Sequence, residues 1–454
     1  MTRTARGGAT PPWRTAPRPS AAPTFTDSDS PEPQASAADT SARRPMPRGV
    51  ERALLALVVG LAVVGLASLG EFNMVPAHQI LDVALYGTAL TLLGWVDRRM
   101  LPLVVAVGAL IAVRAAFALT STEAGLGDVV QAHKWLLNIA VVLLCSGRVA
   151  RIPDLAARMA WVLIPLALLK YVVEVVALGH DRPGLLYENN FEIALLCGLV
   201  VVALRDMVHY RLVLLGMLGV AVVLAGSRSG AIAFGITALF AVHTLIGAKA
   251  VRLYVAALTA AGAIVAAALL FAARYEAEGQ VDRLNFAAIF GDETGERGLV
   301  GWLLGPPPMT ALTTESCARL DFYAVLIADQ SANECYSVVL HAFLLRVLFD
   351  FGLVGLVAAF AIPAYVMVRN HVPWPVVTAL TLIAFSNSAS VSGINNPFIT
   401  LPIVLAILAG NARVADAPGP AVTGPDHSAT PWRRHRPPEP MSARLPSTSR
   451  KDTP

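Results

Sequence analysis

A histidine and a set of cations are the residues whose types and positions indicate chemistry. His341 lies beside an apolar run, and an imidazole, with an ordinary pKa of about 6.5, is suited to accept a proton near neutral pH. Guanidinium and ammonium groups bind phosphate oxygens. Because charges in or beside apolar segments are costly, those that occur there usually have a function. Together they predict a site for an anionic ligand with a general base next to it. The cations concerned are Arg114, Lys134, Arg182, Arg228 and Arg297.

The composition of the chain determines what kind of elements must position these residues. Of 454 residues, 56% are hydrophobic and 15% are charged, and the mean hydropathy is +0.61. Soluble domains have about 25% charged residues on average. We therefore predict an all-α, polytopic membrane protein in a lipid bilayer. The basic excess lies in the two polar tails and forms no basic face on the folded part, so no nucleic-acid partner is expected.

About twelve apolar segments have the length and composition of transmembrane helices. Helices 1–9 are predicted in 51–272 and helices 10–12 in 349–412, with one long extracytoplasmic loop, 273–348, between the ninth and the tenth. Lys and Arg in the short loops then fall mostly on the N-terminal side of the membrane, which the positive-inside rule makes cytoplasmic. We expect a multi-pass protein of the cell membrane. Its tails, 1–50 and 413–454, are predicted to be disordered and cytoplasmic.

Two further pairs of residues carry predictions from their spacing and environment. Lys170 and Glu174 are four residues apart on one predicted helix, so their side chains can pair across one turn. Cys317 and Cys335 both lie in the predicted outer loop, where disulfides persist. The sequence leaves open whether these two cysteines are bridged.

The surroundings of His341 depend on where its helix begins. In a continuous helix Arg346 would lie about 140° around the axis from His341, and Asp350 about 180°, so neither would orient the imidazole. Glu334, seven residues earlier, would share the face of His341 if the helix began there. We expect Glu334 to orient the ring in that case.

Several short motifs together match a known pattern. The first is the tight turn Gly226-Ser227-Arg228-Ser229-Gly230, and the second is His341 followed eleven residues later by Gly352, with Asp350 and Gly355 nearby. An aromatic-then-glycine stretch, 297–306, precedes the histidine, and Asn190 precedes an apolar helix. With these motifs the chain, over about 51–412, resembles the O-antigen ligase and O-antigen polymerase superfamily of membrane glycosyltransferases. One position departs from the family pattern, because Ala342 stands where the family usually has Asn.

The resemblance implies a reaction and a set of roles. It implies transfer of a glycan from a polyprenyl-pyrophosphate-linked donor to a hydroxyl on a glycan or lipid acceptor, on the extracytoplasmic face, in cell-surface polysaccharide biosynthesis. His341 would be the catalytic base. Arg228 and Arg182 would bind the pyrophosphate, with Arg297, Lys134 and Arg114 as weaker candidates. The reaction is expected to need neither a metal nor a cofactor, and no His or Cys cluster has zinc-ligand spacing.

A second class of protein stays open, namely a secondary transporter or a flippase for lipid-linked oligosaccharides. Such proteins often consist of two related halves whose broken helices meet at mid-membrane. The sequence has no evident related halves, and its polar residues gather towards one face. This favours the transferase. The sequence does not distinguish a ligase from a polymerase, because both would use the same donor chemistry.

Overall fold

The chain folds into packed helices with two very short strands. The structure is a computed structural model that describes residues 44–68, 75–152, 154–180, 183–207, 209–278, 282–327 and 334–415. The helices of the first half are α1 (Arg48–Ala67), α2 (Ala77–Leu92), α3 (Leu101–Ser121), α4 (Leu126–Leu144), α5 (Leu155–Val172), α6 (Asn189–Ala203), α7 (Arg211–Ala225) and α8 (Arg228–Leu245). They continue with α9 (Lys249–Glu278), α10 (Asp282–Thr294), α11 (Leu299–Leu304), α12 (Thr314–Ile327), α13 (Phe343–Arg369), α14 (Trp374–Ser390) and α15 (Pro397–Ala415). The strands are β1 (Arg44–Pro45) and β2 (Arg148–Val149), which pair in parallel.

The predicted all-α class is confirmed, and six of the described helices are long and apolar enough to cross a membrane. These are α1, α3, α5 with the π-helical turn that extends it to Ala177, α8, α13 and α15. The helices α6 and α7 are apolar but shorter. Each of the twelve apolar segments of the sequence falls on a helix, namely α1–α9 and α13–α15. The number of twelve spans and their orientation stay predictions.

Several predicted boundaries differ from those of the structure. Most of both tails lies outside the described residues, but 44–50 is folded, because β1 pairs with β2 and α1 begins at Arg48. The Arg44 guanidinium also lies 4.7 Å from the centre of the Trp95 ring. At the other end α15 continues to Ala415. The predicted loop 273–348 contains α10, α11 and α12, and α13 begins within it at Phe343.

Helix α6 lies at the centre of the bundle, and α3 lies at its edge. Nearly every residue of α6 is buried, which agrees with a helix that is apolar on all sides. Gly198 lets α6 approach α15 closely, because a Cβ at this position would overlap the ring of Pro402. By contrast, Val107 and Ala118 are the only buried residues of α3. The exposed apolar surface of α3 therefore has the composition expected of a lipid-facing helix.

Candidate functional site

A cavity of about 390 Å³ lies at the end of the bundle where several helices begin. Its walls come from the N-terminal parts of α2, α4, α6 and α13, from the segments before α6 and α13, and from the turn between α14 and α15. Because unpaired backbone N–H groups point out of helix starts, this end of the bundle favours a negatively charged ligand. The polar lining residues are His78, Gln79, Asp128, Gln131, Lys134, Tyr187, Glu188, His341, Arg346, Ser392, Asn395 and Asn396.

His341 lines this cavity from a position just outside a helix. The backbone becomes helical only at Phe343, with Ala342 as the N-cap residue, so the imidazole is half-buried at the cavity wall. The helix does not begin at Glu334, whose carboxylate instead accepts a hydrogen bond from the Tyr336 hydroxyl at 3.0 Å. The condition under which Glu334 was expected to orient His341 is therefore not met.

Arg346 lines the same cavity and is the main residue that the sequence did not single out. It lies on the first turn of α13 and is only 4% exposed. Within the described residues its Nε and Nη2 atoms have no hydrogen-bond partner. Since a buried charge is costly unless it is paired, a guanidinium in this state is suited to an anionic ligand. In one continuous helix Arg346 and His341 would point in different directions, but the helix begins only at Phe343, and both residues line the cavity.

Lys134 also lines the cavity, but it is already paired. Its ammonium group forms an ion pair with Asp82 on the neighbouring helix α2, and both residues are buried. One buried carboxylate oxygen, Oδ1 of Asp82, has no hydrogen-bond partner among the described residues. The positive charge of Lys134 at the cavity is therefore neutralised by Asp82. Arg346, by contrast, has N–H groups at the cavity that are not used in hydrogen bonds to the described residues.

Helix α13 is interrupted at Gly352, which has φ +63° and ψ −167°. A side chain at this position would overlap the backbone of Leu303 at the end of α11, so only glycine fits. The interruption leaves carbonyl groups at the end of the first segment of α13 without helical partners. Two arginines donate to them: Arg297 Nη1 to the Phe349 oxygen at 2.9 Å, and Arg114 Nη2 to the Asp350 oxygen at 2.8 Å.

Arg114 and Arg297 thus cap a broken helix and do not line the cavity. Each guanidinium also lies 4.0 Å from the centre of an aromatic ring, Arg114 over Phe351 and Arg297 over Phe349. Both arginines hold the short helical segment that carries Arg346.

Asp350 is an acidic residue that interacts with these arginines. Its carboxylate is buried and accepts a hydrogen bond from the Ser337 hydroxyl at 2.6 Å. It interacts electrostatically with Arg114, Arg297 and Arg346. Asp350 therefore lies among three guanidinium groups, of which only that of Arg346 lines the cavity.

Two buried carboxylates hold the segment before α6, which forms part of the cavity wall. Glu192 accepts hydrogen bonds from the backbone N–H groups of Leu185, Leu186 and Tyr187, and from the Tyr171 hydroxyl. Glu174 accepts one from the Gly184 N–H. These bonds fix the segment that brings Tyr187 and Glu188 to the cavity.

The predicted pair of Lys170 and Glu174 is confirmed, at a distance of 2.7 Å between Nζ and Oε1. Both residues are buried, and Lys170 also donates to the Ser68 carbonyl. An ion pair at this spacing on one helix needs only local geometry, which is why the sequence predicts it.

The turn that contains Arg228 contacts the asparagines at the start of α6. The hydroxyls of Ser227 and Ser229 donate to Asn190 Oδ1 at 2.5 and 3.1 Å. Asn189 Nδ2 donates to the Ala225 carbonyl at 2.8 Å. Two motifs that the sequence places 37 residues apart are therefore joined. Arg228 itself is half-buried at the start of α8 and does not line the cavity.

Arg182 lies outside the described residues, so the structure provides no position for it. Among the described residues no group of three or more His, Cys, Asp or Glu side chains could hold a metal ion.

Cys317 and Cys335 form a disulfide, with a distance of 5.7 Å between their Cα atoms. It connects α12 to the extended segment that leads to His341, and the Leu312 N–H donates to the Cys335 carbonyl at 2.9 Å. A small apolar core surrounds it, which includes Phe286, Leu320 and Phe349. The disulfide therefore fixes the path of the chain into the cavity wall.

Two titratable groups beside this disulfide are perturbed. Burial, with smaller contributions from Glu334 and other acids, raises the pKa of Tyr336 to about 12. Partial burial raises the pKa of Glu293, but hydrogen bonds from Ser316 and Thr313 outweigh it, so the pKa is lower than usual. The Glu293 carboxylate accepts from the Thr313 N–H at 2.9 Å and from its hydroxyl at 2.6 Å. It therefore stays charged and ties α10 to the start of α12.

The fold and the cavity define a helical protein suited to a lipid bilayer, with a polar site at one end of its bundle. Comparison with protein-family models, with curated proteins and with solved structures finds no match for this chain.

Proposed function

We propose that the protein is a membrane glycosyltransferase of the O-antigen ligase and polymerase type. It moves a glycan from a polyprenyl-pyrophosphate-linked donor to a hydroxyl acceptor on the extracytoplasmic face of the cell membrane. The observation that carries this proposal is that His341 lines one cavity together with Arg346, a buried arginine with two nitrogen atoms that lack hydrogen-bond partners among the described residues. A base and an anion-binding group in one cavity are what this reaction requires.

The reaction follows from the chemistry of these groups. His341 accepts the proton of the acceptor hydroxyl as its oxygen forms a bond with the anomeric carbon of the donor sugar. The bond between that carbon and the phosphate oxygen breaks, and its electron pair leaves with the polyprenyl pyrophosphate. Arg346 and Lys134 stabilise the negative charge that develops on the leaving group. Amide and acidic side chains such as Gln79, Asn396 and Glu188 are suited to bind sugar hydroxyls.

The experiment uses the purified full-length chain in liposomes with a polyprenyl-pyrophosphate-linked oligosaccharide. Release of polyprenyl pyrophosphate and the size of the glycan products are measured. Wild type should consume the donor without added metal or nucleotide. His341→Ala should reduce the rate about 10²–10⁴-fold, the usual contribution of a general base. His243→Ala is the matched control, since this exposed histidine at the end of α8 does not line the cavity.

The products separate the remaining possibilities. Longer glycans indicate a polymerase, and a conjugate with a new acceptor indicates a ligase. An unchanged rate in His341→Ala would contradict the role of His341 as the base.

One observation favours the second class, a transporter or flippase. The interruption of α13 at Gly352 is of the kind found at transporter binding sites. If the folded wild type leaves the donor chemically intact but moves it across the bilayer, transport replaces transfer as the function.

A further inference from the structure

Helix α11 has an exposed apolar surface within the segment expected to be an aqueous loop. Leu299 is 76% exposed, Val300 is 70% exposed and Leu304 is 57% exposed, and Trp302 and Leu303 are also exposed. Five large apolar side chains on six residues form a patch that water would disfavour.

The position of α11 relative to the spanning helices indicates its depth. The residue after α11, Gly305, lies against the backbone of Asp350, and Leu303 lies against Gly352. Gly352 is nine residues into α13, which is about 13 Å below the start of that helix at 1.5 Å per residue. The contact between Arg114 and the Asp350 carbonyl provides a second measure, because Arg114 is seven residues, or about 10 Å, from the end of α3. The end of α11 is therefore level with the interior of two helices that can span a membrane.

Exposed apolar residues also lie on α13, against which α11 packs, and on α3, which is joined to α13 through Arg114. On α13 the residues directly after the interruption, Leu353 and Val354, are 48% and 54% exposed. On α3, Val113 is 67% exposed beside Arg114. These two helices meet the composition expected of membrane spans, and exposed apolar side chains on such helices are suited to contact acyl chains.

We propose that α11 re-enters the membrane and that its apolar residues contact the acyl chains of the bilayer. Part of its backbone hydrogen bonding is internal to the segment, since the Trp302 N–H donates to the Gly298 carbonyl at 3.1 Å and the Gly305 N–H to the Gly301 carbonyl at 2.9 Å. Each internal bond lowers the cost of contact between this backbone and lipid. The predicted outer loop 273–348 is then aqueous on both sides of α11 but not at α11. The inference does not depend on the reaction that the cavity performs.

Spin labelling tests this proposal on the full-length chain in lipid nanodiscs. Leu299→Cys and Val300→Cys are labelled with a nitroxide, and its accessibility to oxygen, which partitions into lipid, is compared with that to a water-soluble nickel chelate. The native free cysteines, Cys145 and Cys197, are buried, and unlabelled signal is checked with wild type. Val354→Cys serves as the lipid-facing reference, and Asp292→Cys, on the polar helix α10, as the aqueous reference.

The expected result is that the labels on α11 have oxygen-to-nickel accessibility ratios as high as that at position 354. Ratios as low as that at position 292 would overturn the proposal, since α11 would then be in water. Low accessibility to both reagents would overturn it as well, because a second copy of the chain or another protein segment would then cover α11. A high ratio at position 354 and a low ratio at position 292 establish that the measurement distinguishes lipid from water in this protein.

Discussion

Replacing Arg346 with Met should have opposite effects on stability and on ligand binding. Arg346 is 4% exposed, and two of its nitrogen atoms lack partners among the described residues. A buried polar group without a hydrogen bond costs about 1–3 kcal/mol, and apolar replacement of buried charges is often neutral or stabilising by about 1–4 kcal/mol. Part of this gain is offset, because Arg346 attracts Asp350. We expect Arg346→Met to stabilise the unliganded protein by about 1–2 kcal/mol.

Thermal unfolding in detergent, followed by tryptophan fluorescence, measures the first effect, and the donor-release assay in liposomes measures the second. The midpoint should rise by a few degrees while donor turnover falls at least tenfold. Arg319→Met is the matched control, because Arg319 is a partly exposed arginine on α12 paired with Asp292. An exposed pair contributes at most about 1 kcal/mol, so this variant should unfold near the wild-type midpoint and keep its turnover.

A lowered midpoint in Arg346→Met would refute the reasoning. It would mean that the attraction between Arg346 and Asp350 outweighs the cost of burying the guanidinium, so that Arg346 is a structural residue. Full turnover in this variant would separately refute its role in binding the donor.

Three further predictions concern the elements around the cavity. Gly352→Ala should lower the thermal midpoint by several degrees, because the new Cβ overlaps the Leu303 backbone and the positive φ strains an L residue. Gly108→Ala is the control, because a Cβ at position 108 would have no neighbour within 4 Å. Reduction of the disulfide, which spans 18 residues, should lower stability by about 3 kcal/mol, and protection of α12 from hydrogen exchange should fall. Equal protection of α12 before and after reduction would contradict this. Because the folded-state pKa of Glu293 is lowered, its stabilising contribution is present above the unfolded pKa of about 4.5 and is lost as the pH falls through the folded value. Proteolysis of α10 should therefore be faster in acid than at neutral pH in wild type. Glu293→Gln should be cleaved fast both in acid and at neutral pH.

Local patterns were enough to predict a good part of the fold. Apolar segments of spanning length predict the helices, and the spacing of Lys170 and Glu174 predicts an ion pair that the structure confirms. The disulfide was left open by the sequence, because compartment and spacing permit a bridge without requiring it. The helices depend on local composition, and the ion pair depends on residues that are near in sequence.

The position of His341 relative to Arg346 depends on where helix α13 begins and is interrupted, which the sequence pattern does not indicate. The helical wheel assumed that helix α13 extends back through His341 and forward through Gly352, whereas it begins at Phe343 and is interrupted at Gly352. A glycine in an apolar helix does not reveal whether its φ is positive. The signal for Arg346 was nevertheless present, since it is a lone arginine in an apolar run one helical turn before Asp350.

The structure also changes which cations support an anionic ligand. A count of charges at one face treats every arginine alike, but a guanidinium can neutralise a carboxylate, cap a backbone carbonyl or bind a ligand. Arg114 and Arg297 already donate to carbonyls that the interruption of α13 leaves unpaired, and Lys134 is paired with Asp82. Such groups contribute charge to the surroundings of a ligand but have fewer donors to offer. Arg346 differs, because it is buried at the cavity and two of its nitrogen atoms have no hydrogen-bond partner within the described part of the chain, so that its attraction to Asp350 offsets only part of the cost of burying it. The case for a phosphate-bearing donor therefore depends more on this one residue than on the five cations first considered.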